Sequence, residues 1–134
     1  MLEYLRNKRI MVVVAHPDDE LLGLGAAMNR LINEYNVKTH VLILGEGLTS
    51  RLDLRDKDKW KIELETHRRN ILQAQKVIGY HSISFYDFPD NRFDTVPLLE
   101  IIKVIEKEKE KFNPDVIFTH CLLYTSPSPR DKRQ

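Results

Sequence analysis

The run Ile10-Met11-Val12-Val13-Val14-Ala15 restricts this chain more than any other segment. It is continuously apolar and rich in β-branched residues, with no polar position to face water. A strand of that kind is buried on both faces, as in parallel sheets covered by helices on each side. The rest of the chain agrees. Residues 21–35 carry Leu21, Leu22, Leu24, Met28, Leu31 and Ile32 at helical spacing. Further strands are expected over 37–44, 82–86 and 115–119, and further helices over 59–78 and 95–111. Gly79 is the expected C-cap of the first of these helices. Thr95 is the expected N-cap of the second, with Pro97 in its first turn. Residues 46–57 read as a loop and 89–92 as a turn. Strands alternating with helices predict an α/β fold: a Rossmann-like parallel sheet with helices on both faces. Ligands in such sheets bind beyond the carboxyl ends of the strands. His16, Glu46, Asp87 and His120 all fall just after strand candidates.

The bulk properties exclude several partner classes. At 134 residues the chain is long enough for one core and short for a complete α/β enzyme. A net charge of +1 and a pI of about 7.9 give no electrostatic reason to expect nucleic acid or an anionic membrane as partner. No apolar run approaches the roughly 20 residues that span a bilayer, and no apolar stretch of signal-peptide type follows the polar start. A cytoplasmic location is therefore expected. The single cysteine, Cys121, forms no internal disulfide and no cysteine-only metal site.

The chemistry concentrates in His16-Pro17-Asp18-Asp19-Glu20, directly after the buried strand. One imidazole and three carboxylates at a sheet edge oppose each other through desolvation and like-charge repulsion. A divalent cation relieves both, and zinc takes histidine nitrogen and carboxylate oxygen readily. His16 and Asp19 are three residues apart, a spacing that brings both side chains to one point across a turn. Asp18 then stays off the metal. The competing reading is that Asp18 and Asp19 cap the helix that follows. On residue chemistry alone the two readings stand side by side.

The segment Ala15-His16-Pro17-Asp18-Asp19-Glu20-Leu21-Leu22-Gly23 resembles the signature of the PIG-L/LmbE-like deacetylases. The resemblance extends over most of residues 8–120 in the order of motifs, strands and helices. It implies a zinc-dependent enzyme that removes acetyl groups from N-acetylglucosamine-type conjugates, a small-molecule partner. His16 and Asp19 would be zinc ligands and Asp18 the general base. Arg51, after Gly45-Glu46-Gly47-Leu48-Thr49-Ser50, would hold the substrate. Asp90, in Phe88-Pro89-Asp90-Asn91-Arg92, would line the sugar pocket, and His120 would meet the next site loop. The chain departs from the family at one place. The third zinc ligand is expected from an His-x-Asp-His-like motif after the fourth strand, and no histidine follows His120. Weak zinc retention and little turnover are the consequence expected of two ligands. The alternative function is an inactive truncated fragment or a non-catalytic sugar-binding module.

The other candidates read more plainly. Gly23-Leu24-Gly25-Ala26-Ala27-Met28 begins like a dinucleotide fingerprint but lacks its third glycine, so close helix–sheet packing is the expected use. His40 is expected to be structural or exposed, His67 solvated on a charged helix face, and His81 a loop residue. The alternating run 106–111 is expected to be a solvated helix end without function. The α/β alternation stops at residue 120. Residues 121–131 match, residue for residue, a translated transposase-type sequencing-library adapter. Residues 121–134 are therefore expected to be a non-native tail, with 1–120 as the N-terminal part of a truncated deacetylase domain.

Overall fold

The computed structural model describes residues 2–48, 60–89 and 92–120. Among them are four strands: β1 (Arg9–Val14), β2 (Lys38–Gly45), β3 (Ser82–Phe88) and β4 (Val116–Thr119). All pair in parallel, in the order β3-β2-β1-β4. The helices are α1 (Asp19–Leu22), α2 (Gly25–Tyr35), α3 (Lys61–Ile78) and α4 (Leu98–Phe112). The expected parallel α/β sheet is therefore present.

Side-chain parity divides the core into two layers. Ile10, Val12 and Val14 of β1 join Val41 and Ile43 of β2 on one face, against Met28 and Leu31 of α2 and Ile71 of α3. Met11 and Val13 join Leu42 and Leu44 on the other face, against Ile101, Val104 and Ile105 of α4. β1 is central and covered twice, which is why Ile10 to Val14 include no polar residue. Arg9 ties the second layer down. Its guanidinium donates to the carbonyls of Phe112 and Asn113 at the end of α4, and its backbone N–H donates to Asp115 Oδ2 at 2.8 Å. A cation at a helix C-terminus also complements the helix dipole.

Three expectations need correction. The helix expected over 21–35 is two helices. Gly23 N–H closes α1 on Asp19 C=O, and Leu24 then leaves helical geometry with φ −128°. The break brings α2 against α3 so closely that a Cβ on Gly25 would lie 3.2 Å from Ile78 Cδ1. Thr95 is not the N-cap of α4: it ends a 3-10 turn, and its hydroxyl donates to Arg92 C=O. Val96, before Pro97, is held extended, so α4 starts only after the proline, which itself occupies the N-cap. β3 runs on to Phe88. Gly79 caps α3 as expected, with φ +96° and its N–H on Gln75 C=O.

Two histidines are more deeply engaged than their sequence setting suggests. His81 Nδ1 accepts from Thr39 N–H at 3.2 Å and so closes the start of β2. His40 is buried and lies 2.9 Å from Glu108 Oε2 across the second layer. Glu108 comes from the alternating run of α4, where it is the buried member, 4% exposed. It also accepts from the hydroxyls of Ser84 and Tyr86. Burial pushes its carboxyl up, but the hydrogen bonds from Ser84, Tyr86 and His40 more than offset this and leave it below the ordinary carboxylate value. A lowered folded-state value means the stabilisation is complete above the unfolded value of about 4.5 and is lost as pH falls through the folded one. Glu108→Ala, which strands three donors, is expected to cost about 3–5 kcal/mol in urea unfolding at neutral pH. Glu108→Gln is expected to flatten the loss of stability below pH 4.5; an unchanged acid limb would remove Glu108 from the account.

Candidate functional site

β1 ends at Val14, and the chain turns sharply because β2 closes over it. Gly45 N–H donates to Ala15 C=O at 2.7 Å, and a Cβ on Gly45 would sit 2.8 Å from that same oxygen. Gly47, with φ +81°, passes so close to Pro17 that a Cβ would approach its ring to 2.7 Å. The two glycines let the end of β2 lie directly on the Ala15–Pro17 segment.

The turn is strained at Asp18. Its φ is +94° and ψ −25°, a region that side chains rarely occupy. Such geometry persists only where surrounding contacts impose it. Here Asp18 N–H donates to Glu20 Oε2 at 3.0 Å, and its C=O accepts from Leu21 and Leu22 N–H at 2.9 Å each. Glu20 is fully buried, and burial pushes its carboxyl up. The Tyr80 hydroxyl donates to Glu20 C=O at 2.9 Å, and burial likewise raises the phenol. Glu20 and Tyr80 thus hold the motif from beneath, a role the sequence did not assign to either.

This geometry counts against capping by the Asp18 side chain. Asp18 stands at the N-cap position of α1, but its side chain makes no capping hydrogen bond and is exposed. Asp19 Oδ2 turns back to accept His16 N–H at 3.1 Å and lies 3.6 Å from His16 Nδ1. Two donors on one tetrahedral zinc, with bonds near 2.0–2.2 Å, stand about 3.4 Å apart. His16 and Asp19 therefore fit two positions on one ion. Among the described residues, no group of three histidine, cysteine or acidic side chains is arranged to hold a metal.

His120 is also brought to the motif. Its Nε2 is 3.9 Å from Asp19 Oδ2, but it accepts Ala15 N–H at 3.0 Å. That bond commits the nitrogen that faces Asp19, and it fastens the end of β4 to the end of β1. Arg51 and Asp90 lie outside the described residues. A cavity of about 310 Å³ opens beside Pro17 at the carboxyl ends of β2 and β3, bordered by Glu46, His67, Arg68, Phe85 and Asp87. The position is the one expected of a ligand site in a parallel sheet. His67 is not the solvated residue expected. It is half-buried in the cavity wall, with Nε2 shielded and without a hydrogen-bond partner among the described residues.

The strain at Asp18 is open to measurement. Glycine takes positive φ freely, so Asp18→Gly is expected to raise stability by up to about 1 kcal/mol in thermal unfolding. Asp18→Ala keeps the strain and is expected to give no gain. Equal stability of the two variants would show that no strain is stored there.

The fold matches solved structures across nearly the whole chain. N,N′-diacetylchitobiose deacetylase from Pyrococcus horikoshii superposes with a TM-score of 0.70 at 22% identity, over 98% of this chain and 50% of that one. A deacetylase triple mutant of the teicoplanin biosynthetic pathway gives 0.68 at 15% identity, over 89% and 53%. The 4-carboxy-2-hydroxymuconate hydratase GalB from Pseudomonas putida KT2440 gives 0.64 at 19% identity, over 84% and 47%. The chain thus spans about half the length of these proteins. No curated protein sequence matches it. The sequence itself matches a family over residues 11–129, through the strained turn and both core layers. By that match the chain belongs to the PIG-L family, described as GlcNAc-PI de-N-acetylase.

Proposed function

We propose that this chain carries the water-activating part of a zinc-dependent N-deacetylase acting on an N-acetylglucosamine-type conjugate. The observation that carries the reading is the convergence of His16 and Asp19 at 3.6 Å beside a strained, exposed Asp18. Family membership and the deacetylases among the structural matches support it. His16 and Asp19 would hold the metal, which when bound polarises a carbonyl and makes water a better nucleophile near neutral pH. Asp18, whose side chain makes no capping hydrogen bond, would take a proton from the attacking water and return it to the departing amine. The acetamide carbon–nitrogen bond breaks, giving acetate and a free amino sugar. Arg51 and Asp90 are proposed to contact the sugar, with His120 at the site's edge. The cavity beside Pro17, at about 310 Å³, suits a ligand near the lower end of the small-molecule range of roughly 300–1,000 Å³.

A second reading is a module that binds the sugar without turning it over. Fold does not decide between them, since a hydratase shares it.

Acetate release from N-acetylglucosamine conjugates separates the two. The deacetylase reading expects slow release that requires zinc in excess, stops with a chelator, and falls about 10²–10⁴-fold in Asp18→Asn. After dialysis the purified chain is expected to retain well under one zinc per molecule. Saturable sugar binding with no acetate at any zinc concentration would favour the module.

A further inference from the structure

At the opposite end of the sheet from the motif, an acid, a base and a hydroxyl form a continuous chain. Glu108 Oε2 is 2.9 Å from His40 Nε2, and His40 Nδ1 is 2.7 Å from Ser82 Oγ. His40 and Glu108 are buried, whereas Ser82 is exposed. His40 and Ser82 are register partners in the β2–β3 ladder, so the backbone itself sets their approach.

The proton positions follow from the acceptors. Glu108 receives the hydroxyl hydrogens of Ser84 at 2.7 Å and Tyr86 at 3.1 Å, one on each carboxylate oxygen. An ionised carboxylate only accepts, so His40 must present Nε2–H to it. The Nδ1 lone pair is then left to accept the hydrogen of Ser82. A hydroxyl within reach of a base that a third group orients is the arrangement of an activated nucleophile, recognised by roles and not by sequence order.

Room for a reactant lies alongside. A cavity of about 180 Å³ is lined by His40, Ser82, Ser84, Glu108, Lys111 and Phe112. That is below the roughly 300 Å³ at which drug-sized sites begin, so only a small group fits. Lys111 brings a cation to the wall, where charge develops on a carbonyl oxygen under attack.

We propose that Ser82 is a nucleophile with His40 as its base and Glu108 as its orienting acid, forming a second, metal-independent site for small acyl esters. Ser82 Oγ bonds to the ester carbonyl carbon as its proton passes to His40 Nδ1. The carbon–alkoxide bond then breaks, and the alcohol leaves with that proton. Water, giving a proton to His40, attacks the acyl-serine; the acyl–Oγ bond breaks, the carboxylic acid departs and the proton returns to Ser82. No residue is shared with the motif after β1, so the proposal stands or falls apart from the deacetylase reading.

The test uses p-nitrophenyl acetate with the full chain in the presence of EDTA, reading nitrophenol release and mapping acetylated peptides by mass spectrometry. The expected result is a chelator-insensitive burst with acetyl on Ser82. Ser82→Ala, a change at an exposed position, is expected to abolish the burst, and His40→Gln to slow it about 10²-fold or more. The wild-type peptide map needs no variant to fold. Acetyl found on lysines with none on Ser82, or an undiminished burst in Ser82→Ala, would overturn the proposal.

Discussion

Strand β1 has to be apolar on both faces, because helices cover the sheet on each side of it. Ile10, Val12 and Val14 serve one layer, and Met11 and Val13 the other. The polar chemistry is thereby forced to the strand's end. Once the chain leaves the sheet at Ala15, β2 and β4 both fasten onto that residue, through Gly45 N–H on its carbonyl and His120 Nε2 on its N–H. The motif is held where three strand ends meet, so its position is a consequence of core packing.

What holds the turn in its unfavourable shape is a carboxylate beneath it. Glu20 accepts the Asp18 N–H while fully buried, and the Tyr80 hydroxyl, just beyond the end of α3, donates to the Glu20 carbonyl. Burying an acid is unfavourable unless its hydrogen bonds are made, and among the described residues only Oε2 of Glu20 has a partner, so the brace itself is costly. In return Asp18 is kept at positive φ with its side chain outward, while Asp19 folds back to His16. Three adjacent acids thus stand in three different settings: a buried brace, a partner for His16 N–H and an exposed side chain, the one proposed as the base.

Much of this architecture was legible in the sequence. The apolar run of β1, the helical spacing of α3 and the cap at Gly79 each depend on local pattern, and each appears as expected. The motif was legible as chemistry because its residues are contiguous. Long-range pairing was not. His40 and Glu108 are 68 residues apart, and Glu108 sits in a run of alternating charge whose neighbours are all solvated. Nothing local marks it as the buried member; only the helix phase against β2 and β3 does. His67 was hidden for the same reason, among charged neighbours on α3. The break at Gly23–Leu24 accompanies the close approach of α2 to Ile78, a tertiary contact that periodicity does not register. Arg51 and Asp90 lie outside the described residues, and their roles rest on the resemblance.

The claim on which the functional account rests is that His16 and Asp19 share one metal ion and Asp18 does not touch it. Co²⁺ titration followed by visible absorption tests this directly, since the ligand-field bands report coordination without requiring turnover. The account predicts a saturable spectrum for the wild type that His16→Ala and Asp19→Ala each abolish and Asp18→Ala preserves. The same spectrum and midpoint in His16→Ala as in the wild type would contradict it.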